Sequence, residues 1–414
     1  MKPLQKLFFV FLIGVFLPVS AITQEFFKID IHGYISQGYL ISNRNNFLAD
    51  TENGTFHFNE LGINFSTELT EKIRLGIQFA ARDLGDSGND KVIIDWAYAD
   101  YQWQDWLGLR LGKIKMPVGF YNKTRDIDML RTFILLPQGI YLENYRDAST
   151  SVKGIGIYGE LLNNLIGNFS YQVLWGSTDI CKEGSVAKGA EAMGPLNVEK
   201  FDVGDLFSGS IIWESPLKGL RIGATAADTE ITAHARLTED ISIPVAFPPY
   251  TITLARRGDA VTALIPKTSI FTYSAEYTWN NLVLAAEYQL MNQDITIKVT
   301  DLEPMEQRIN SQSYYGSATY RFTDWFELGV YYSVYYKDKN DKKGTGFDPP
   351  YSAFQKDACA CLRFDLNTQW TFKLEGHLLE GTALCLPQEN VNAAGAVEYD
   401  KKWTLFALKM TFNF

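Results

Sequence analysis

The chain lacks the features that mark helical membrane proteins and most soluble enzymes. The chain has 414 residues, and the part after residue 21 contains no apolar run close to the roughly 20 residues that a membrane helix needs. Neither a Gly-x-Ser-x-Gly elbow nor a phosphate-binding Gly-Lys-Ser/Thr loop is present. The 38 basic residues are outnumbered by 48 acidic residues, which argues against a nucleic-acid partner. These absences exclude helical membrane spans and leave no catalytic motif.

Cysteine and histidine are also scarce, with four residues of each type. Cys359 and Cys361 share a strand face, His377 lies on the next strand, and Cys385 follows in a loop. This spacing matches no familiar zinc site, so we predict no metal and no cofactor. Cysteines of exported proteins usually form disulfides. A disulfide that involves Cys181 or Cys385 is therefore possible, but the sequence does not determine the pairing.

The amino terminus has the pattern of an export signal. Lys2 and Lys6 precede the apolar run from Leu7 to Leu17, and small residues follow at positions 20 and 21. The sequence therefore predicts a signal peptide over residues 1–21. The mature chain, residues 22–414, would begin at Ile22 and form a single domain.

The carboxyl terminus alternates strictly between two kinds of side chain. One face carries Phe406, Leu408, Met410, Phe412 and Phe414, and the other carries Ala407, Lys409, Thr411 and Asn413. Because the chain ends on an aromatic residue without a polar tail, we expect the apolar face to meet lipid. A strand crosses lipid only within a closed barrel, since an open edge would leave backbone groups unpaired in hydrocarbon.

Similar segments recur along the whole chain, separated by short and long connections in alternation. They number about 16, and aromatic residues cluster beside the short turns, as in membrane barrels. These aromatic residues are Trp103, Trp106, Trp279, Trp325, Phe326 and Trp370. The sequence therefore predicts an all-β, transmembrane antiparallel barrel with both termini on the periplasmic side.

The closing strand and the segment from Leu109 to Asn122 resemble those of 16-stranded bacterial outer-membrane porins, both general and phosphate-selective. The resemblance in architecture covers the mature chain. It implies a homotrimer in the outer membrane of a Gram-negative bacterium, in contact with lipid and open to ions and small hydrophilic solutes. It also implies that the barrel-assembly machinery reads Phe414. In general porins the third external loop enters the lumen, and here that connection is residues 116–151.

Fixed charges in a narrow, low-dielectric throat set ion preference, so charged residues are the candidate constriction. On the wall the candidates are Arg74, Arg82 and Arg110, with Arg221, Arg363 and Lys373 further round. On the loop they are Arg125, Asp126, Asp128 and Arg131. The alternative for each residue is that it only solvates the wall and pairs with a neighbour.

Two further functions remain open. A barrel enzyme, such as a lipase or protease, would need a nucleophile or acid pair on an external rim, and none stands out; we therefore predict no enzymatic activity. A surface-binding barrel with a plugged lumen would use the long connection from Asp228 to Lys267, which could include a short hairpin. We expect this connection and residues 176–205 to be external loops.

Overall fold

A computed structural model describes residues 28–85, 88–163, 165–191, 194–245, 250–392 and 395–414. The predicted signal peptide over residues 1–21 and the predicted mature start at Ile22 lie outside the described residues.

Strands make up almost all of the regular structure in these ranges. They are β1 (Ile29–Ser42), β2 (Phe58–Thr70), β3 (Ile73–Leu84), β4 (Ile93–Gln104), β5 (Leu107–Lys115), β6 (Ser151–Leu161), β7 (Asn168–Ser177), β8 (Leu196–Glu214), β9 (Leu220–Leu237), β10 (Ile241–Val245), β11 (Tyr250–Ala255), β12 (Ala260–Trp279), β13 (Leu282–Val299), β14 (Met305–Thr323), β15 (Phe326–Tyr336), β16 (Phe354–Asp365), β17 (Trp370–Gly381) and β18 (Lys402–Asn413). The helices are α1 (Arg146–Ser149) and α2 (Ser185–Glu191), with short 3-10 turns at Asp128–Leu130, Pro350–Ala353 and Pro387–Glu389. Within the described ranges, no helix has the length and apolar character needed to cross a membrane.

Sixteen of the described strands close into one antiparallel barrel, in which each strand pairs with its neighbours along the chain. Strands β10 and β11 form a separate hairpin, so β9 pairs directly with β12. The last strand closes the ring against the first, with Ile35 opposite Phe412 and Tyr39 opposite Leu408. The predicted all-β architecture is confirmed.

The two faces of the strands differ as the alternation predicts. In β18, Phe406 is exposed on the outside, whereas Lys409 and Thr411 point inward and are buried. Outward apolar residues recur on the other strands, for example Leu109 and Leu111 on β5. An apolar exterior around a polar interior is the pattern of a barrel that meets lipid.

The strands on one side are much longer than the sequence indicates. Strands β8, β9, β12, β13 and β14 contain 18–20 residues each, whereas about 9–11 residues are enough for a tilted strand to span a membrane. Most of residues 196–205 and 228–267, predicted as loop, is therefore strand, and β10 and β11 form the short hairpin expected within the second range.

The sequence predicts loop in these two ranges because the ends of the long strands on the side of the long connections do not face lipid. Their outer face carries cross-strand ion pairs, such as Arg236–Glu199 at 2.8 Å and Arg308–Asp294 at 2.5 Å. Their buried face carries small apolar residues, including Val198. The row of large apolar residues that identifies a membrane strand is therefore missing.

Candidate channel constriction

The third long connection, between β5 and β6, folds into the lumen. Gly119 Nα donates to Thr225 Oγ1 on β9 at 3.1 Å, on the wall away from the strands that carry the loop. Gly119 has a φ of +56°, and an added Cβ would lie 2.3 Å from the Tyr141 hydroxyl. Only glycine adopts this turn without strain and leaves room for Tyr141. The implied insertion of residues 116–151 is present.

Glu287 on β13 holds the first part of this loop. Its carboxylate accepts hydrogen bonds from Phe120 Nα at 2.8 Å and from the Tyr141 hydroxyl at 2.6 Å. It also accepts from the Tyr315 hydroxyl at 2.9 Å and from the Ser274 hydroxyl at 2.5 Å. Because these donors come from two parts of the loop and two wall strands, one carboxylate joins all four segments.

Glu375 on β17 holds the middle of the loop on the opposite wall. Its two carboxylate oxygens accept from Ile134 Nα at 2.7 Å and Leu135 Nα at 2.8 Å. The side chains of these two loop residues pack in an apolar cluster with wall residues that include Leu40 and Leu405. Backbone donors that would otherwise be unpaired are thus satisfied while the apolar side chains are buried.

Asp128 forms an ion cluster between the loop and the wall. Lys373 Nζ lies 3.1 Å and Lys409 Nζ 3.5 Å from its carboxylate oxygens. Burial alone would raise the pKa of Asp128, but the positive charges of Lys373, Lys409 and Arg131 outweigh it and hold that pKa well below its ordinary value. The carboxylate therefore stays ionised at neutral pH.

Glu143 forms a second cluster near the end of the loop. Arg125 Nη2 lies 2.8 Å, Arg82 Nη1 3.0 Å and Arg146 Nη1 3.3 Å from its oxygens. Burial opposes ionisation, but these three guanidinium groups lower the pKa of Glu143 well below its ordinary value. Removal of one partner from such a buried pair costs about 3–5 kcal/mol, because it leaves an uncompensated charge.

The four loop candidates lie in this loop–wall interface. Arg125, Asp126, Asp128 and Arg131 are all buried. Asp126 receives a hydrogen bond from Lys115 Nζ at 2.8 Å. Their positions indicate that they anchor the loop, and the charges exposed to lumen water belong to other residues.

Of the three wall arginines, Arg82 belongs to the Glu143 cluster, whereas Arg74 and Arg110 lie nearer the end with the short turns. They share Asp100: Arg74 Nη2 is 3.5 Å and Arg110 Nε 3.1 Å from its oxygens. The Arg110 guanidinium lies between the rings of Tyr98 and Tyr158, at 4.7 and 4.4 Å from their centroids. Cation–π contacts on both sides hold this charge in place.

Lys123, which sequence reasoning did not single out, lies near Arg110 and completes a group of three cations on the lumen side. It is exposed, although it lies on the inserted loop, and its ammonium group donates to Gln172 Oε1 on β7. Although the residue as a whole is exposed, its ammonium group is partly buried against Gln172, and this burial, followed by the positive charge of Arg110, lowers the pKa of Lys123 to about 8. We call Arg74, Arg110 and Lys123 the basic cluster. Lys123 has no sequence signal that separates it from Arg125, because only the fold of the loop decides which of the two is exposed.

The remaining wall candidates are all paired. Arg221 Nε lies 2.9 Å from Glu276, which also accepts from the Tyr121 hydroxyl at 2.6 Å. This group borders a cavity of about 610 Å³ at the end with the short turns. Arg363 Nε lies 2.9 Å from Asp365, while Lys373 is fully buried beside Asp128.

Several solved structures are similar to this barrel, among them an anion-selective porin and an outer-membrane protein. OmpF of Salmonella typhi, solved with daunomycin, matches with a TM-score of 0.55 and 14% identity over 95% of this chain and 99% of OmpF. The anion-selective porin of Comamonas acidovorans matches with a TM-score of 0.53 and 13% identity, over 94% of this chain and 99% of that chain. OmpT of Vibrio cholerae, in its trimer form, matches with a TM-score of 0.50 and 12% identity, over 94% and 99%. No protein-family model and no curated protein matches the chain. The chain has the fold of the 16-stranded porins of the bacterial outer membrane.

Proposed function

We propose that the protein is an outer-membrane porin, a water-filled channel through which small hydrophilic solutes diffuse passively, with a preference for anions. The observation that carries this proposal is the basic cluster, three cations on the lumen side of which Arg74 and Arg110 share the carboxylate of Asp100 and Lys123 lies near the charge of Arg110. A barrel of 16 strands is wider than its own side chains fill, so an inserted loop sets the size of the passage.

The balance of charge favours anions because Asp128 and Glu143, two acids of the inserted loop, are neutralised. Asp128 faces two lysines, and Glu143 faces three arginines. Such carboxylates attract few cations from the lumen. The basic cluster keeps a net positive charge, which raises the local concentration of anions in a narrow throat.

Solute flux into liposomes tests the proposal. Liposomes that contain the purified protein should pass chloride and small organic anions faster than cations of similar size. A triple variant, Arg74→Gln, Arg110→Gln and Lys123→Met, should lose this preference. Arg236→Gln is the matched control, since Arg236 pairs with Glu199 on the outer face of the long strands. Flux no greater than in protein-free liposomes would refute the channel and favour the plugged, surface-binding barrel.

We propose further that the protein has no enzymatic activity. Two imidazoles on the long-loop side lie beside carboxylates, with His57 Nδ1 at 2.7 Å from Asp83 and His234 Nε2 at 2.9 Å from Asp202. In the part of the chain that the structure describes, neither imidazole has a hydrogen bond to a serine or cysteine. Peptide or phospholipid hydrolysis that disappears in His57→Gln or His234→Gln would overturn this proposal.

We also propose that the chain is exported, forms a homotrimer and is recognised by the barrel-assembly machinery through Phe414. The trimer form of the similar OmpT supports a homotrimer, which chemical cross-linking in detergent would test. The backbone of Phe414 pairs with Gly33 through two hydrogen bonds of 3.0 Å, so the final residue lies at the closing seam of the barrel. Deletion of Phe414 should therefore slow barrel assembly in cells, as expected if the assembly machinery reads this residue.

A further inference from the structure

The inner wall carries a compact group of metal-ligand side chains beneath the inserted loop. Cys359 lies directly opposite His377, and Cys361 directly opposite Glu375, on strands β16 and β17. One sulfur, nitrogen or oxygen atom each from Cys359, Glu375 and His377 lies within 4.8 Å of the other two, and all three residues are buried. All four cysteines of the chain, including Cys385, are free thiols, so neither Cys359 nor Cys361 is used in a disulfide.

Asp357 orients the histidine of this group. Its carboxylate accepts from His377 Nδ1 at 3.0 Å and also from the Tyr331 hydroxyl at 3.0 Å. The other ring nitrogen, Nε2, lies 3.1 Å from Glu375 Oε1. A histidine that binds a metal through one ring nitrogen usually donates a hydrogen bond from the other nitrogen to a carboxylate, which fixes the orientation of the ring. Asp357 has this position relative to His377.

We propose that Cys359, Glu375 and His377 form a binding site for a divalent metal ion of the zinc class. Thiolate, imidazole and carboxylate are all ligands of Zn²⁺, and a mixed set of sulfur, nitrogen and oxygen favours a borderline metal over Ca²⁺ or Mg²⁺. Three protein ligands leave the fourth tetrahedral position for water. Cys361 is not included, because its thiol donates to the Thr132 carbonyl at 3.2 Å.

Metal binding at this site exchanges protons for the ion. Without metal, Nδ1 of His377 lies 3.0 Å from Asp357 and Nε2 lies 3.1 Å from Glu375, and each of these hydrogen bonds requires one proton. Metal binding displaces the proton between His377 Nε2 and Glu375 and the thiol proton of Cys359, and both protons pass to solvent. Two positive charges leave as the ion brings two, so the net charge of the buried group is unchanged and no additional charge is buried.

The site also bears on the inserted loop. Glu375 accepts from Ile134 Nα and Leu135 Nα, and the thiol of Cys361 reaches Thr132, so the proposed ligands lie where the loop is held to the wall. A bound ion would fix the Glu375 carboxylate and thereby stabilise the docked loop. Any ligand that binds only the folded state stabilises that state in proportion to the logarithm of its concentration.

The test uses the full mature chain refolded in detergent with Zn²⁺ or Co²⁺ present, so that the loop closes over the metal. After removal of free metal, wild type should retain about one ion per chain, measured by inductively coupled plasma mass spectrometry. The Co²⁺ form should show the near-ultraviolet charge-transfer absorption of a cobalt–thiolate bond. Cys359→Ser, which is nearly isosteric, should lose the ion and the absorption, and His377→Gln should lose the ion.

Cys385→Ser is the matched control, because Cys385 is a buried thiol in a different, apolar cluster; it should bind like wild type. Folding of every variant is checked by its shift in gel mobility on heating. Wild type that retains no more metal than Cys359→Ser, or a cobalt complex without the thiolate absorption, would overturn the proposal. If His377→Gln does not fold, Cys359→Ser alone decides.

Discussion

Lys123 makes the proposed anion preference depend on pH between pH 7 and pH 9. Its pKa of about 8 means that about 90% of the ammonium groups are charged at pH 7 and about 10% at pH 9. An ion that passes about 7 Å away, in an effective dielectric constant near 20, experiences roughly 2 kcal/mol, which salt at 0.1 M reduces to about 1 kcal/mol. That energy changes the local concentration of each ion roughly fivefold, in opposite directions for anions and cations.

The assay is the reversal potential of single channels in a potassium chloride gradient, recorded from pH 6 to pH 10. For wild type, the potential should move toward the cation side between pH 7 and pH 9. Lys123→Met should show the high-pH value throughout, whereas Lys123→Arg should keep the low-pH value throughout, since arginine stays charged. A wild-type potential that is constant with pH, or a step that persists in Lys123→Met, would refute the placement of Lys123 in the ion path.

Three other outcomes are expected. Arg110→Gln should shift the reversal potential toward cations. Arg82→Gln should leave the reversal potential unchanged and lower thermal stability, because Arg82 pairs with Glu143. Equal shifts in the two variants would refute the assignment of Arg110 to the ion path and of Arg82 to the loop anchor. Glu287→Leu removes the acceptor for four donors, which costs about 1–3 kcal/mol for each donor left unpaired. The loop should then be held less firmly, and the variant should give larger and noisier conductance steps. Steps like those of wild type would exclude Glu287 as a loop anchor. The folded-state pKa values of Asp128 and Glu143 are lowered, so the stability that these two carboxylates contribute is present above the ordinary carboxyl pKa of about 4. This stability is lost as the pH falls below that value. A melting temperature in detergent that already declines between pH 7 and pH 5 would contradict this expectation.

The barrel itself could be predicted because lipid imposes a simple rule on the sequence. Each membrane-facing strand needs large apolar side chains at every second position, as in Phe406, Leu408 and Met410, and this alternation identifies both the strand and its faces. Where the strands of the long side leave the lipid, the rule no longer applies. There, ion pairs such as Arg308–Asp294 face water, and the same residues read as a polar loop.

The constriction could be predicted only in part. The sequence indicates which connection enters the lumen and that its charges matter, but it does not reveal which charges pair. Arg125 and Lys123 are two positions apart, yet Arg125 is buried against Glu143 and Lys123 is exposed. This difference arises from the path of the loop across the barrel, which depends on distant partners such as Glu287 and Glu375.

The proposed metal ligands show the same limit. Cys359 and His377 are 18 positions apart in sequence, a spacing that predicts no metal site. They become direct neighbours only through the register of β16 and β17, and Asp357 reaches the imidazole through the same register.

We propose that water and ions pass through the barrel beside the folded-in loop and the basic cluster. Single-channel recording of purified wild type in a salt gradient measures both properties. We expect discrete conductance steps and a reversal potential on the anion side at pH 7. A bilayer that stays silent with correctly folded protein would refute the channel, and steps that reverse on the cation side would refute its anion preference.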